Sequence, residues 1–222
     1  VYINMAMTAD GKITSAGREY PRFTSDLDRR TMDRLRAEAD AVVVGAGTLR
    51  ADDPPLHVRD AEMRAYRDSL GKSGPPLRVV VTASGSIERS RRFFDDEEGG
   101  DRIVATVESL DAARLAELRA RAEVWQLGRE KVDLALLLDR LGDRGVRRVL
   151  LEGGGELNWR FVHDGLVDEL YLTIAPALLG GREAPTLLEG CGFSMKEQRR
   201  LRLLELRGEG DEIYCRYELV RP

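Results

Sequence analysis

The most constraining feature of this chain is a set of short apolar runs, each ending in glycine or small polar residues. Ala41 to Val44 stops at Gly45, Leu77 to Val81 stops at Thr82-Ala-Ser-Gly85, and Val149 to Leu151 runs into Gly153-Gly-Gly155. Uninterrupted apolar runs of this length predict strands buried on both faces, as in parallel sheets. Helical spacing between them supplies the crossovers. Ser25 opens a helix with Met32, Leu35 and Ala39 on one face, and Asp28 is expected to complete its capping box. Ser109 or Asp111 caps a second helix with Leu115 and Leu118 inward. A third runs from Val132 to Leu141, closed by Gly142 or Gly145. Val1 to Met7, Ile103 to Val107 and Val124 to Leu127 also read as strands, and residues 50–76 read as irregular.

After residue 165 the period changes to two. Leu170, Leu172 and Ile174 alternate with polar or small neighbours, as do Ile213, Cys215, Tyr217 and Leu219. Half-exposed antiparallel strands are expected there. The pattern predicts an α/β fold with a mostly parallel central sheet, an antiparallel C-terminal edge and helices on both faces. No linker or repeat divides the 222 residues, so one domain spanning 1–222 is expected.

Composition narrows the function classes. The net charge is −4, with basic residues interleaved among acids, so no nucleic-acid partner is expected. No apolar run approaches the roughly 18 residues of a membrane span, and no signal-peptide pattern is present. Two cysteines point to a reducing compartment. The chain starts on Val1 in strand-like sequence, so a few preceding residues are expected. His57, His163 and the cysteines lack zinc-ligand spacing, and no metal is expected. Cys215 falls with the apolar set of its strand and reads as a core residue.

Three strand ends could line one crevice. The cluster Glu152-Gly-Gly-Gly-Glu-Leu157 opens a helix whose N-terminus favours an anion such as a pyrophosphate. A tight strand–helix turn with no ligand explains it equally well. It is neither a G-x-G-x-x-G fingerprint nor a P-loop. Gly45-Ala-Gly-Thr48 and Thr82 to Gly85 are the other two ends, and ligands of open α/β sheets sit at such ends. Arg50-Ala-Asp-Asp-Pro-Pro-Leu-His-Val-Arg59 combines two carboxylates with flanking arginines. It reads either as an anion-binding loop or as a solvated connection with local salt bridges.

Taken together and in order, these motifs resemble the reductase of riboflavin biosynthesis, which stands alone in archaea and fungi and forms the C-terminal half of a bifunctional deaminase–reductase in many bacteria. The matching pieces are Ala6-Met-Thr-Ala-Asp-Gly-Lys12, Leu35-Arg-Ala-Glu-Ala-Asp40, Val44-Gly-Ala-Gly-Thr48, Asp52 to Arg59, Leu151-Glu-Gly-Gly-Gly155, Val167-Asp-Glu-Leu170, Ala175-Pro176 and Gly180-Gly181. No deaminase zinc motif accompanies them. The resemblance implies a dihydrofolate-reductase-like fold, NADPH as cofactor, a phosphorylated pyrimidine as substrate, a homodimer and a cytoplasmic location. It places Thr48 and Asp52 by the nicotinamide, Thr82, Ala83, Ser84 and Gly85 by the adenosine, and Gly153, Gly154, Gly155, Glu156 and Leu157 by the pyrophosphate. Leu56 and Arg59 would bind substrate, with Arg36 and Glu152 converging on it; Arg59 and Arg36 would take the ribose 5′-phosphate. Asp52 is also the candidate proton donor. The family's serine and aromatic residue before the Thr24 position are not matched in Gly17 to Thr24, and Thr8 stands where serine is common. A dihydrofolate or other pterin reductase of the same fold and a non-catalytic NADPH sensor are the competing readings.

Overall fold

The computed structural model describes residues 1–18, 23–88, 90–95 and 99–220. In chain order the elements are β1 (Tyr2–Thr8), α1 (Asp26–Glu38), β2 (Ala41–Gly45), α2 (Ala46–Asp52), α3 (Ala61–Ser69), β3 (Leu77–Val81), β4 (Arg102–Thr106), α4 (Ala112–Arg119), β5 (Glu123–Gln126), α5 (Leu134–Asp143), β6 (Val149–Leu151), α6 (Gly155–His163), β7 (Glu169–Ala175), β8 (Leu201–Glu209) and β9 (Glu212–Leu219). A short 3₁₀ turn, Arg92–Phe94, precedes β4. They fall into two compact units. One is Asp33–Leu150, the other Val1–Met32 with Leu151–Pro222.

The Asp33–Leu150 unit is a parallel α/β layer. β2, β3, β4 and β5 pair in parallel in that order, with Val43 opposite Val79, Val79 opposite Ile103 and Val104 opposite Val124. β6 lies beside β2. Val42, Val43, Val44, Val79, Val80, Ile103 and Val104 are fully buried, so no polar alternation survives along these strands. Asp60, Asp111 and Asp133 cap α3, α4 and α5, each accepting first-turn amides. These caps supply the acceptors that the first turn of a helix otherwise lacks.

Helix α3 corrects the expectation that residues 50–76 are irregular. Asp60 accepts from the amides of Glu62 and Met63 and starts a nine-residue helix. Its sequence, Ala-Glu-Met-Arg-Ala-Tyr-Arg-Asp-Ser, is mostly polar and buries only Arg67, so apolar periodicity does not reveal it.

In the other unit β1 pairs in parallel with β7, and β7, β9 and β8 continue as antiparallel neighbours. This is the mixed arrangement read from the sequence, mostly parallel with an antiparallel C-terminal edge. The burial phase of β9 differs from the expected one. Tyr214 and Cys215 are buried and Ile213 is exposed. Tyr214 is drawn inward by Glu212, itself buried, which accepts from the Ser25 amide at 2.7 Å and from the hydroxyls of Ser25 and Tyr214. Burial and this carboxylate push the Tyr214 hydroxyl up to about 12. The same contact corrects the capping box of α1. Ser25 Oγ accepts from the Asp28 amide as expected, but Glu212 rather than Asp28 takes the Ser25 N–H.

Candidate functional site

The carboxyl ends of β2 and β3 are built from small residues. β2 ends at Gly45, which serves as the N-cap of α2 without any side-chain cap. Thr48 and Asp52 lie four residues apart on α2 and so share a face; Thr48 is half-buried and Asp52 exposed. The next residue, Asp53, takes a left-handed conformation with φ 45°, closing the helix, and its carboxylate accepts from the Arg92 amide at 3.0 Å. Beyond β3, buried Thr82 turns its hydroxyl back to accept the Gly85 N–H at 3.0 Å. That leaves Ala83 and Ser84 exposed at the tip. Arg50 donates to the Ser86 carbonyl at 2.9 Å, tying α2 to this turn. The expected neighbours Thr48, Asp52 and Thr82 to Gly85 therefore stand on two consecutive strand ends of one parallel sheet.

The Asp52–Arg59 segment is an ordered loop. Leu56 is buried, so its side chain anchors the loop. The following main chain is held by charged side chains. Arg36 Nη1 donates to the His57 carbonyl at 3.1 Å, and Arg64 Nη1 donates to the carbonyls of Val58 and Arg59. Arg36 is 1% exposed, whereas the Arg59 side chain is 37% exposed. Of the two arginines expected at the phosphate, the structure sets Arg59 at the surface and Arg36 beneath the loop.

In the other unit Glu152 is half-buried and the glycine cluster follows it. Two of its glycines have reasons inside the protein. Gly153 has φ +91°, and a Cβ there would lie 2.8 Å from Met5 Cε. A Cβ on Gly155 would lie 2.6 Å from the Thr186 carbonyl oxygen and from Glu189 Cγ, while the Gly155 carbonyl accepts the Glu189 amide at 2.9 Å. The turn's positive φ accounts for Gly153, and the close approach of the 186–189 segment accounts for Gly155. The helix start itself is different, because Gly154 is the N-cap of α6 and offers no side-chain cap. Asp60, Asp111 and Asp133 cap α3, α4 and α5 with a carboxylate, whereas the N-cap of α6 is a glycine without a side-chain cap, and the Glu189 carboxylate lies beside Gly155. The first-turn amides and positive dipole end of α6 suit a phosphate group. Leu157 is buried and Glu156 exposed.

Two sequence-distant motifs prove to be one structure. Asp10, in the Thr8–Lys12 motif, accepts from the Thr8 hydroxyl at 2.6 Å and from the Leu179 and Gly180 amides at 3.2 and 2.6 Å. The Ala9 amide donates to the Ala177 carbonyl. The Thr8 hydroxyl, followed by the Gly180 amide, holds the Asp10 carboxyl down to about 2. The turn after β1 and the Ala175–Gly181 segment are locked together by one carboxylate. The sequence marks Asp10-Gly11 as a turn, but nothing local to it reveals that Asp10 joins the two segments. The unmatched stretch before Thr24 includes residues 19–22, which lie outside the described residues.

Among the described residues no group of His, Cys, Asp and Glu could hold a metal ion, and no helix is long and apolar enough to cross a membrane. Both cysteines are free, with Cys215 buried.

Known proteins extend these observations. The chain is 39% identical to a 2,5-diamino-6-ribosylamino-4(3H)-pyrimidinone 5′-phosphate reductase of Archaeoglobus fulgidus over 98% of this chain and 97% of that one. It is 39% identical to the protein of the same name from Methanothermobacter thermautotrophicus, over 98% and 96% of the two chains. It spans only 57% of the riboflavin biosynthesis protein RibD of Actinobacillus pleuropneumoniae, at 29% identity. Among solved structures, a pyrimidine reductase-like protein of Corynebacterium diphtheriae superposes with a TM-score of 0.87 at 25% identity, covering 100% of this chain and 92% of that one. Reductases of riboflavin biosynthesis draw on a nicotinamide cofactor. The RibD C-terminal domain model matches residues 1–214, so the chain belongs to the RibD C-terminal domain family.

Proposed function

We propose that residues 1–222 act as one reductase that converts the ribosylamino side chain of 2,5-diamino-6-ribosylamino-4(3H)-pyrimidinone 5′-phosphate to the ribitylamino form, using NADPH. The observation that carries this is full-length similarity, at 39% identity, to standalone proteins bearing that reductase name. The relatives lend no support to the pterin-reductase or sensor readings.

When bound, NADPH supplies the hydride that reduces the sugar C1′ once the ribosylamine has opened to an imine. The protein's task is to hold the reacting carbons in contact. Thr48 and Asp52 would orient the nicotinamide, Gly154 to Leu157 would receive the pyrophosphate at the start of α6, and Thr82 to Gly85 would receive the adenosine side. Arg59 presents a planar fork for the 5′-phosphate, a geometry that lysine does not offer. Glu152 and the main chain at Leu56, whose buried side chain anchors the loop, would complete the substrate contacts, and Arg36 supports the Arg59 loop from below. Asp52, exposed on α2, would either deliver the proton to the substrate nitrogen or position the nicotinamide.

The test follows the loss of reduced-nicotinamide absorbance with the diamino-pyrimidinone, the deaminated amino-uracil and dihydrofolate, each with NADPH and with NADH. Preferred turnover of the diamino-pyrimidinone with NADPH is expected. Turnover of dihydrofolate alone, or binding of NADPH without turnover, sinks the proposal. Arg59→Ala should raise the substrate KM about tenfold or more through the lost charge-assisted pair; Gly154→Val should abolish cofactor binding.

A homodimer is part of the same reading. β8 lies at the end of the strand order, and Leu201, Leu203, Leu204 and Leu206 on it are 45–61% exposed. An apolar edge strand of this length needs cover, and a second copy of the same edge provides it. Light scattering should give a dimer that Leu206→Asp dissociates; a monomer at micromolar concentration would count against it. The two free thiols fit a cytoplasmic enzyme.

A further inference from the structure

The loop that carries Arg59 has a carboxylate beneath it. Asp33, on α1, is buried. Its Oδ1 accepts the Arg59 amide at 3.4 Å and its Oδ2 the Asp60 amide at 3.2 Å. The same Oδ1 stands 3.9 Å from Arg59 Nε and 3.8 Å from Arg36 Nη1. Arg36 and Arg64 hold the neighbouring carbonyls of His57, Val58 and Arg59. Asp33 therefore holds the main chain at Arg59 and Asp60 and brings its carboxylate within ion-pair range of the Arg59 guanidinium.

We propose that Asp33 is the positioning residue of Arg59, aiming its guanidinium at the substrate phosphate. The chemistry supports the role in two ways. A carboxylate within ion-pair range of Nε biases the guanidinium toward one orientation, and orientation is what a two-pronged contact with phosphate oxygens demands. One carboxylate between the guanidinium groups of Arg36 and Arg59 also leaves this trio with a surplus positive charge for an anionic ligand. Asp33 acts only through Arg59, because it is buried beneath the loop. This rests on the reading of Arg59 as the phosphate ligand.

A double-mutant cycle tests it. Asp33→Asn should raise the substrate KM about tenfold while kcat and the NADPH KM stay within about twofold, because only the aim of Arg59 is lost. In an Arg59→Ala background the same substitution should change the substrate KM by less than about twofold. Equal effects in both backgrounds, or a parallel rise in the NADPH KM, would mean that Asp33 merely supports the fold, and would overturn the proposal. An unchanged substrate KM in Arg59→Ala alone overturns the phosphate reading, and this proposal falls with it. If circular dichroism shows that Asp33→Asn does not fold, Asp33→Ser, which keeps a small acceptor, replaces it in the same cycle.

Discussion

The two ends of the parallel strands β2, β3 and β4 are built from opposite materials. At the amino ends, Asp40 accepts the Arg147 and Arg148 amides at 2.8 Å each and pairs with Lys72. Arg144 bridges Asp101 and Glu123 there, and Arg67 donates to the last carbonyls of α1 and to the Gly74 carbonyl. The cavity of about 340 Å³ among Asp40, Arg67, Lys72, Asp101 and Arg144 is lined by charges that already have partners. At the carboxyl ends stand Gly45, Thr82 to Gly85 and an uncapped helix start. One end spends its polar groups on its own chain, and the other leaves small residues and exposed tips. Charge pairing at one end stabilises; smallness at the other makes room for a ligand's backbone-scale contacts.

This contrast can be broken most directly at Asp40. Asp40→Ala strands two backbone amides and should destabilise the protein by about 2–3 kcal/mol in urea melts, with NADPH affinity unchanged in the protein that remains folded. A loss of affinity as large as the loss of stability would erase the distinction between the ends.

The same residue sets an acid limit. Burial tends to raise the Asp40 carboxyl, but the hydrogen bonds from Lys72, Arg147 and Arg148 outweigh it and hold it below the usual carboxylate range. A folded-state value below the unfolded one stabilises above the ordinary carboxylate pKa of about 4. That contribution is lost as the pH falls through the lower folded value. Asp40→Asn should flatten the stability profile below about pH 4, and an unaltered acid limb would reassign it to other carboxylates, such as Asp10.

At the carboxyl ends smaller effects are expected. Thr82→Val removes the acceptor for the Gly85 amide and should cost about 1 kcal/mol, together with a several-fold rise in the NADPH KM because the turn no longer holds its shape. A stability loss with no change in KM would detach this turn from the cofactor.

Gly47 offers the sharpest comparison at the smallest scale. It lies inside α2, and an added Cβ would meet only Arg50 Nη2, at 3.9 Å. Gly47→Ala should therefore stabilise by about 0.5–1 kcal/mol. If this end is kept small for a ligand, the gain comes with weaker NADPH binding. A variant that is both more stable and equally active would show that smallness here serves nothing.

Much of the fold was legible in the sequence. The buried runs of β2, β3 and β4, the change to period two after residue 165, and the Asp111 cap rest on residues close together in the chain. α3 was not legible, since a polar surface helix buries almost nothing that could mark its period. The motif order located Arg59 and the glycine cluster. It could not separate glycines kept small by their own surroundings, Gly153 by its positive φ and Gly155 by the 186–189 segment, from the N-cap glycine Gly154.

By itself, then, the sequence determined which strands are buried, where most helices begin and which motifs occur in which order, because periodicity and capping act over a few residues. Tertiary structure alone decided that Glu212 caps Ser25 from 187 residues away, that Asp33 grips Arg59 from 26 residues away, and that the leucines of β8 face outward. Those outcomes depend on which backbone amide a buried carboxylate meets, and a buried polar group takes whatever partner the fold brings to it.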